Sequence, residues 1–305
     1  LFQRASADLS MLRTVSGQQD VGRYLEALVA KAYVELHGQR ERGKKPGFWK
    51  WFSKDWPRVF RAHAGAFWMA ILITAIGSAF GAYVINSERD LLNHVMPGMF
   101  SHLMEDPSER VATEEKMWET GTDHLSGQKS MFAGQLMLNN IKVAVFALAL
   151  GIAFGVPTVI VLFYNGVILG MVVFDYVRAG ETEFLLGWLL PHGVPELTAI
   201  FIGGQAGLVL ARAMIGWGSD EAMRARLRAV RGDLVVLISG GALMLVWAGF
   251  VEAFFSQYHY PVISYSTKIS VGVVELVTLV VFFGFCGRES AEERDERALD
   301  EGGGA

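Results

Sequence analysis

Residues 184–210 read FLLGWLLPHGVPELTAIFIGGQAGLVL, an apolar stretch that is long enough to cross a bilayer. Near its start, residues 191–196 (PHGVPE) bring together two prolines, a glycine, an imidazole and a carboxylate. Proline removes a backbone donor and disfavours a helix interior, and an ionisable side chain inside a membrane span usually marks a function or a specific partner. We therefore expect a transmembrane helix that is broken at Pro191, Gly193 and Pro195, with His192 and Glu196 beside the break.

The composition of the whole chain is that of a membrane protein. Of its 305 residues, 52% are hydrophobic, and they cluster in blocks. The single cysteine, Cys286, excludes an internal disulfide and a cysteine metal site. The first apolar block starts near residue 64, too late for a cleavable signal peptide, and no phosphate-binding loop, HExxH or GxSxG motif occurs. We therefore predict an all-α polytopic membrane helix bundle that is not an enzyme and holds no cofactor or metal.

The first 63 residues precede the bundle. Residues 1–38 carry apolar stripes at helical spacing, separated by SGQQD, and predict a helical hairpin outside the membrane. Residues 39–63 interleave basic and aromatic side chains. Such a pattern can indicate nucleic-acid binding, but here a membrane span follows at once. We therefore interpret it as an interfacial segment on anionic headgroups and expect no nucleic-acid partner.

About six transmembrane helices are predicted between residues 64 and 287. The apolar block 141–174 would be roughly 50 Å long as one helix, whereas the hydrocarbon core is about 30 Å thick. It must fold back, and Gly155 and Pro157 supply the turn. The predicted spans are 64–86, 139–156, 158–177, the quoted stretch, 233–254 and 267–287. An extramembrane insertion, 87–137, follows the first span, and the charged tail 288–305 is predicted to be disordered.

The distribution of charge predicts the orientation. Six spans place both termini on one side, and the basic regions 39–63 and 211–232 fall on that same side. By the positive-inside rule this side is the cytoplasm, so that the insertion 87–137 lies outside. The predicted location is the plasma (inner) membrane, with both termini cytoplasmic.

The polar residues at membrane depth then share the outer half of the bilayer. His192 and Glu196 lie about 10 to 18 Å below the outer surface. The predicted cluster consists of Asn140, Lys142, Asn165, His192, Glu196, Glu252 and Glu275.

Two interpretations of this cluster remain open. Lys142, His192, Glu196 and Glu275 could line a polar cavity open to the outside, because irregular backbone at membrane depth is tolerated beside such a cavity. Alternatively, Lys142 could pair with Glu252 or Glu275 in a purely structural ion pair. His192 and Glu196 share one helix face at i and i+4, but two ligands are weak evidence for a metal, and none is predicted.

Small residues recur at four-residue spacing in several spans. Such pairs allow membrane helices to approach closely, within one chain or between subunits, and for this reason we expect a homo-oligomer. The pairs are Gly77 and Gly81, Gly151 and Gly155, Gly166 and Gly170, and Gly203 and Gly207.

Taken in order, several of these segments resemble the stage II sporulation protein M family of bacterial and archaeal membrane proteins. They are NNIKVA (139–144), GIAFG (151–155), LFYNGVILG (162–170), LPHGVPELTAIFIGGQAGL (190–208) and AGFVEAFF (248–255). ADLSMLRT and YLEALVAKAYVELH near the N-terminus also resemble its longer members. The motif positions are Asn140, Lys142, Asn165, Gly166, Pro191, His192, Gly193, Glu196 and Glu252. Pro195 departs from the pattern, which has an apolar residue there.

The resemblance implies a multi-span inner-membrane protein with no established enzymatic activity. In spore-forming bacteria, the protein after which the family is named is similar to a membrane scaffold that holds cell-wall hydrolases at the septum. Our first hypothesis is therefore a non-enzymatic protein that organises envelope partners, such as cell-wall remodelling factors, in the lipid bilayer. The second is a channel or transporter whose pathway passes the outer polar cluster.

Overall fold

The protein is helical throughout the residues that its computed structural model describes, which are 47–87, 106–119, 126–256, 258 and 262–288. The main helices are α1 (Trp56–Ala62), α2 (Ala64–Ser87), α3 (Pro107–Glu119), α4 (Ser126–Ala149), α5 (Val156–Ala179), α6 (Thr182–Ile215), α7 (Met223–Val251) and α8 (Tyr265–Phe285). The predicted all-α fold class is confirmed. The hairpin predicted over residues 1–38 and most of the tail predicted over 288–305 lie outside the described residues.

The chain forms two compact units, residues 1–51 and residues 52–305. Of the first unit, the described residues form the short helix Phe48–Lys50 and the start of a π-helical turn, with the rings of Phe48 and Trp49 exposed. The second unit is the helix bundle. Trp56 and Phe60 are already buried in this second unit.

Five helices are long and apolar enough to cross a membrane: α2, α5, α6, α8, and α7 together with its extension to Ser256. A shorter apolar helix, Met137–Ile152, lies in the position of the predicted second span. At 1.5 Å per residue it is about 24 Å long, slightly less than a hydrocarbon core of about 30 Å. The large apolar side chains exposed on α2 and α8 are available to lipid, as a multi-pass membrane protein requires.

The block 141–174 folds back at the predicted place. After α4 the chain tightens into a 3₁₀ turn, Leu150–Ile152. Gly155 then adopts a φ of 79°, in the left-handed region that favours glycine, and Pro157 lies in the first turn of α5.

Helix α6 is not broken at PHGVPE. It runs without interruption from Thr182 to Ile215 with Pro191 and Pro195 inside it, so the predicted break is wrong. The two prolines remove the bonds that would reach the carbonyls of Gly187 and Pro191. Ending the helix here would leave several more backbone groups without partners, and at membrane depth that is the more costly outcome.

The apolar segments alternate in direction. Gly77 lies against Phe163 and Gly81 against Val167, so α2 and α5 run parallel. Gly203 lies against Ala144 and Gly207 against Ala147, so α4 and α6 run parallel. Tyr265 lies against Gly187 and Gly272 against Leu190, so α6 and α8 do too. Helices α5 and α6 are antiparallel, joined at Gly180 and Glu181. This alternation agrees with six successive crossings.

The glycine pairs occupy contacts within the chain. A Cβ on Gly81 or Gly170 would collide with a backbone carbonyl of the facing helix, Val167 or Ser78 respectively. Gly203 and Gly207 approach α4 in the same way, at Ala144 and Ala147, and Gly166 faces Thr74. Since these faces already bury helix–helix contacts, the expected homo-oligomer stays a prediction.

Helix α1 fills the space between the ends of α6, α7 and α8. The Phe60 ring stacks on Phe283 with centroids 4.0 Å apart, and Trp56 covers Gly240. Arg61 donates to the carbonyls of Phe283 and Cys286 at 2.8 and 2.7 Å. Residues 52–63 of the predicted interfacial segment are therefore an integral part of the bundle.

Candidate functional site

The bundle has two ends, which we name by the helices found there. The upper end contains α3, the α5–α6 link, Ser256 and the start of α8, and the lower end contains α1, the 3₁₀ turn and the α6–α7 link. In the upper half, the half-buried Asn140 of α4 meets buried polar side chains from α6, α8 and the end of α7. We call Asn140, His192, Glu196, Glu252, Ser256 and Lys268 the polar cluster.

His192 lies at the centre of the polar cluster. Its Nδ1 is 2.9 Å from Glu252 Oε2 and 3.1 Å from Ser256 Oγ. All three side chains are almost completely buried. Glu252 and Ser256 are the first and last residues of a π-helical turn, Glu252–Ser256, that ends α7. Such turns often occur at functional sites, and this one brings both side chains to the same imidazole.

Lys268 is the buried cation near Glu252, a role that the sequence predicts for Lys142. It lies in the first turn of α8, is completely buried, and interacts electrostatically with Glu252. Its ammonium donates to the carbonyls of Ser256 and Tyr258 at 2.8 and 2.9 Å. Lys268 thus joins the end of α7 to the start of α8.

Glu196 lies one turn beyond His192 on α6. Its Oε2 accepts a hydrogen bond from the amide of Asn140, whereas its Oε1 and the Nε2 of His192 are buried without a partner among the described residues. Both side chains line a cavity of about 100 Å³. Asn139, Asn140 and Asn165 line it too, and apolar side chains of α5 and α6 complete the wall.

Two members of the predicted cluster lie elsewhere. Lys142 is exposed on α4, so neither the predicted pair with Glu252 nor the one with Glu275 forms. Glu275 accepts a hydrogen bond from the Trp247 indole at 2.9 Å. Neither residue lines the cavity, although Glu275 interacts electrostatically with His192.

Helix α3 covers the upper end of the bundle. Arg110 donates to the Tyr176 hydroxyl at 2.7 Å, and its guanidinium lies 5.3 Å from the Trp188 ring centroid. Tyr265 donates to Glu115 at 2.8 Å. Because Trp188 also packs against His192, with centroids 5.8 Å apart, α3 is separated from the polar cluster by a single aromatic layer.

Sequence reasoning missed Lys268, Ser256, Asn139 and Arg110. Lys268 stands at the edge of an apolar segment, where a lysine normally extends to water. The only signal for Ser256 was its position four residues after Glu252, on the same helix face. No group of three or more His, Cys, Asp or Glu residues in the described ranges is arranged to hold a metal ion.

The family model for stage II sporulation protein M matches residues 70–257, which is more than half of the chain. The chain belongs to this family. A second family model, a domain of unknown function (DUF8413), matches residues 1–38, the range of the predicted hairpin. The chain is also similar to an uncharacterized protein of Methanocaldococcus jannaschii, with 27% identity over 120 residues, 39% of this chain and 67% of that protein. No solved structure matches.

The part of the chain that matches the stage II sporulation protein M family contains most of the polar cluster. Asn140, His192, Glu196, Glu252 and Ser256 all fall within residues 70–257. Lys268 lies beyond this range. The cation that interacts with Glu252 therefore comes from a helix that the family match does not include.

Proposed function

We propose that this protein is a non-enzymatic plasma-membrane protein that organises partners at the outer face of the cell envelope. The observation that carries the proposal is the attachment of α3 to the bundle through Arg110 and Tyr265. A docking element must be held in a defined position relative to the membrane. These two contacts hold α3 while Glu109, Thr113 and Lys116 stay exposed on it.

The charge of the two ends supports an extracytoplasmic upper end. Basic residues at the lower end exceed acidic ones, and they include Arg58, Arg61, Arg212, Arg224, Arg226, Arg228 and Arg231. The positive-inside rule places such an end in the cytoplasm, together with both termini. The partners would then be envelope proteins, such as cell-wall remodelling factors, that reach the outer membrane surface.

The contacts of the polar cluster support a role without catalysis. His192 is bound by Glu252 and Ser256, and Lys268 by two backbone carbonyls. These groups are buried beneath an aromatic layer rather than presented to a substrate in water. Their arrangement suits a core that joins four helices.

Site-specific photo-crosslinking in native membranes tests the docking function. A crosslinker replacing Thr113, exposed on α3, should capture a defined envelope protein, and one replacing Val277, exposed on the apolar face of α8, should capture lipid. Reversing charges beside the first position (Glu109→Lys with Lys116→Glu) should abolish the capture. Recovery of only lipid and the protein itself from both positions would reject the function.

A channel or transporter is the second candidate, favoured by the cavity beside His192 and Glu196. Ionisable residues lining a cavity at membrane depth are typical of ion pathways. A pathway would also need to cross the lower half, where Gly151 and Gly207 bring α4 and α6 into backbone contact. Opening this half would require a different conformation.

Ion flux into proteoliposomes tests this candidate. Transport predicts a flux that Glu196→Gln and His192→Ala abolish and that Lys142→Ala, on the exposed face of α4, leaves intact. The candidate is rejected by an absence of flux, or by a flux that is indifferent to both cluster variants.

A further inference from the structure

The buried charges of the polar cluster do not balance when the imidazole is neutral. Glu196 and Glu252 are two carboxylates, whereas Lys268 is the one ammonium buried with them in the described part of the bundle. A buried charge without compensation is strongly destabilising. The imbalance is removed by a positive charge beside these residues or by a proton on one of them.

The uncompensated charge lies at Glu196. Glu252 has His192 at 2.9 Å and interacts electrostatically with Lys268. Glu196 has one hydrogen bond, from the neutral amide of Asn140, and is only 4% exposed. Its Oε1 has no partner among the described residues and belongs to a side chain that lines the cavity.

The cavity has the size and the chemistry of a site for a small hydrated cation. Its volume of about 100 Å³ is well above the roughly 10–15 Å³ that one water needs, so an ion and some water fit. Beside Glu196 it is lined by Asn139, Asn140 and Asn165, each of which carries an amide oxygen. Carboxylate and amide oxygens are ligands for hard cations, and a single carboxylate matches one positive charge better than two.

We propose that this cavity binds a small monovalent cation of the sodium type through the Glu196 carboxylate and the amides of Asn139, Asn140 and Asn165. The bound ion neutralises Glu196 and links α4, α5 and α6. This site does not depend on partner docking. It also requires no ion transport, because a cation that stays bound is enough to neutralise Glu196.

Thermal unfolding of the purified full chain in detergent tests the site. At constant ionic strength, Na⁺ should raise Tm by about 2–4 °C over choline, with K⁺ less effective. Glu196→Gln should remove this dependence on Na⁺. Glu275→Gln is the matched control, since it changes a glutamate of the same bundle outside the cavity and should keep the full shift.

Direct binding of radiolabelled Na⁺ keeps the test decisive if Glu196→Gln does not fold. Asn165→Ala should then lower the Na⁺ affinity at least tenfold while the protein remains folded. Equal Tm values in all salts, or binding unchanged by Asn165→Ala, would overturn the proposal. Stability that follows pH alone would also overturn it, because a proton on His192 or Glu196 would then remove the charge imbalance. The outcome of crosslinking at Thr113 does not depend on any of these results, so the cation site and the docking function are tested separately.

Discussion

Lys268 has its ammonium group buried within a membrane bundle, where it is bound by two backbone carbonyls and lies near Glu252. Such burial is tolerated only when the hydrogen bonds and the charge are both satisfied. The π-helical turn at the end of α7 meets this requirement, because it places Glu252, Ser256 and the Ser256 carbonyl around the start of α8.

Lys268→Ala should destabilise the protein strongly. It leaves Glu252 with less positive charge and two carbonyls without a donor, so we expect a loss of about 3–5 kcal/mol. Lys142→Ala removes an exposed lysine and should change the free energy of unfolding by less than about 0.5 kcal/mol. Unfolding by sodium dodecyl sulfate, followed by circular dichroism, measures both. Equal losses in the two variants would contradict the assigned role of Lys268.

At the scale of the helix, close backbone contact holds α2 against α5. Glycines of both helices face carbonyls of the partner, at Gly77, Gly81, Gly166 and Gly170. At these four glycines the two backbones touch, so close packing stabilises the contact.

Gly81→Ala should therefore separate α2 from α5. The added methyl group would collide with the Val167 carbonyl, and overpacking of this kind costs about 1–3 kcal/mol. Gly65→Ala, on the same helix, meets nothing within 4 Å. It should leave stability unchanged or raise it by up to about 1 kcal/mol. The same unfolding assay would refute the packing argument if both variants behaved alike.

Helix α3 depends on Arg110 for its attachment. Arg110→Gln removes the charge over Trp188 and weakens the bond to the Tyr176 hydroxyl. We expect amide hydrogen exchange across residues 107–119 to accelerate at least tenfold while exchange in α6 stays unchanged. Glu109→Gln, exposed on the same helix, should have no such effect. Unchanged amide exchange in Arg110→Gln would show that Tyr265 and the apolar contacts are enough to hold α3 on the bundle.

For the whole molecule, the alternating directions of the apolar helices have a consequence for topology. If Met137–Ile152 crosses the membrane despite its length, α3 and the α6–α7 link lie on opposite sides. Without that crossing they would lie on the same side, an arrangement that the parallel directions of α2 and α5 do not permit.

Cysteine labelling distinguishes these cases. In a Cys286→Ser background, Thr113→Cys should react with a membrane-impermeant maleimide on intact cells. Asp220→Cys, exposed in the α6–α7 link, should react only after permeabilisation. Reaction of both positions on intact cells would contradict six crossings and both predicted cytoplasmic termini.

Much of the bundle follows from the sequence because apolar length and glycine spacing are local properties. These local properties predict the turn at Gly155, the parallel pairs of helices and the positions of His192 and Glu196. The continuity of α6 could not be predicted, because the cost of a proline in the helix depends on what else the freed carbonyls can contact. The partners of Glu252 could not be predicted either, since the direction of the Lys268 side chain depends on the path of the chain between α7 and α8.

The location of Lys268 on the last helix also affects biosynthesis. The chain is made from its N-terminus, so Glu196 and Glu252 reach the membrane ahead of Lys268. Until α8 inserts, the nascent protein carries excess negative charge at depth, and its cluster cannot close. Completion of the final helix is thus coupled to maturation of the whole bundle, and a chain truncated before residue 268 would present quality-control proteases with an uncompensated acidic core.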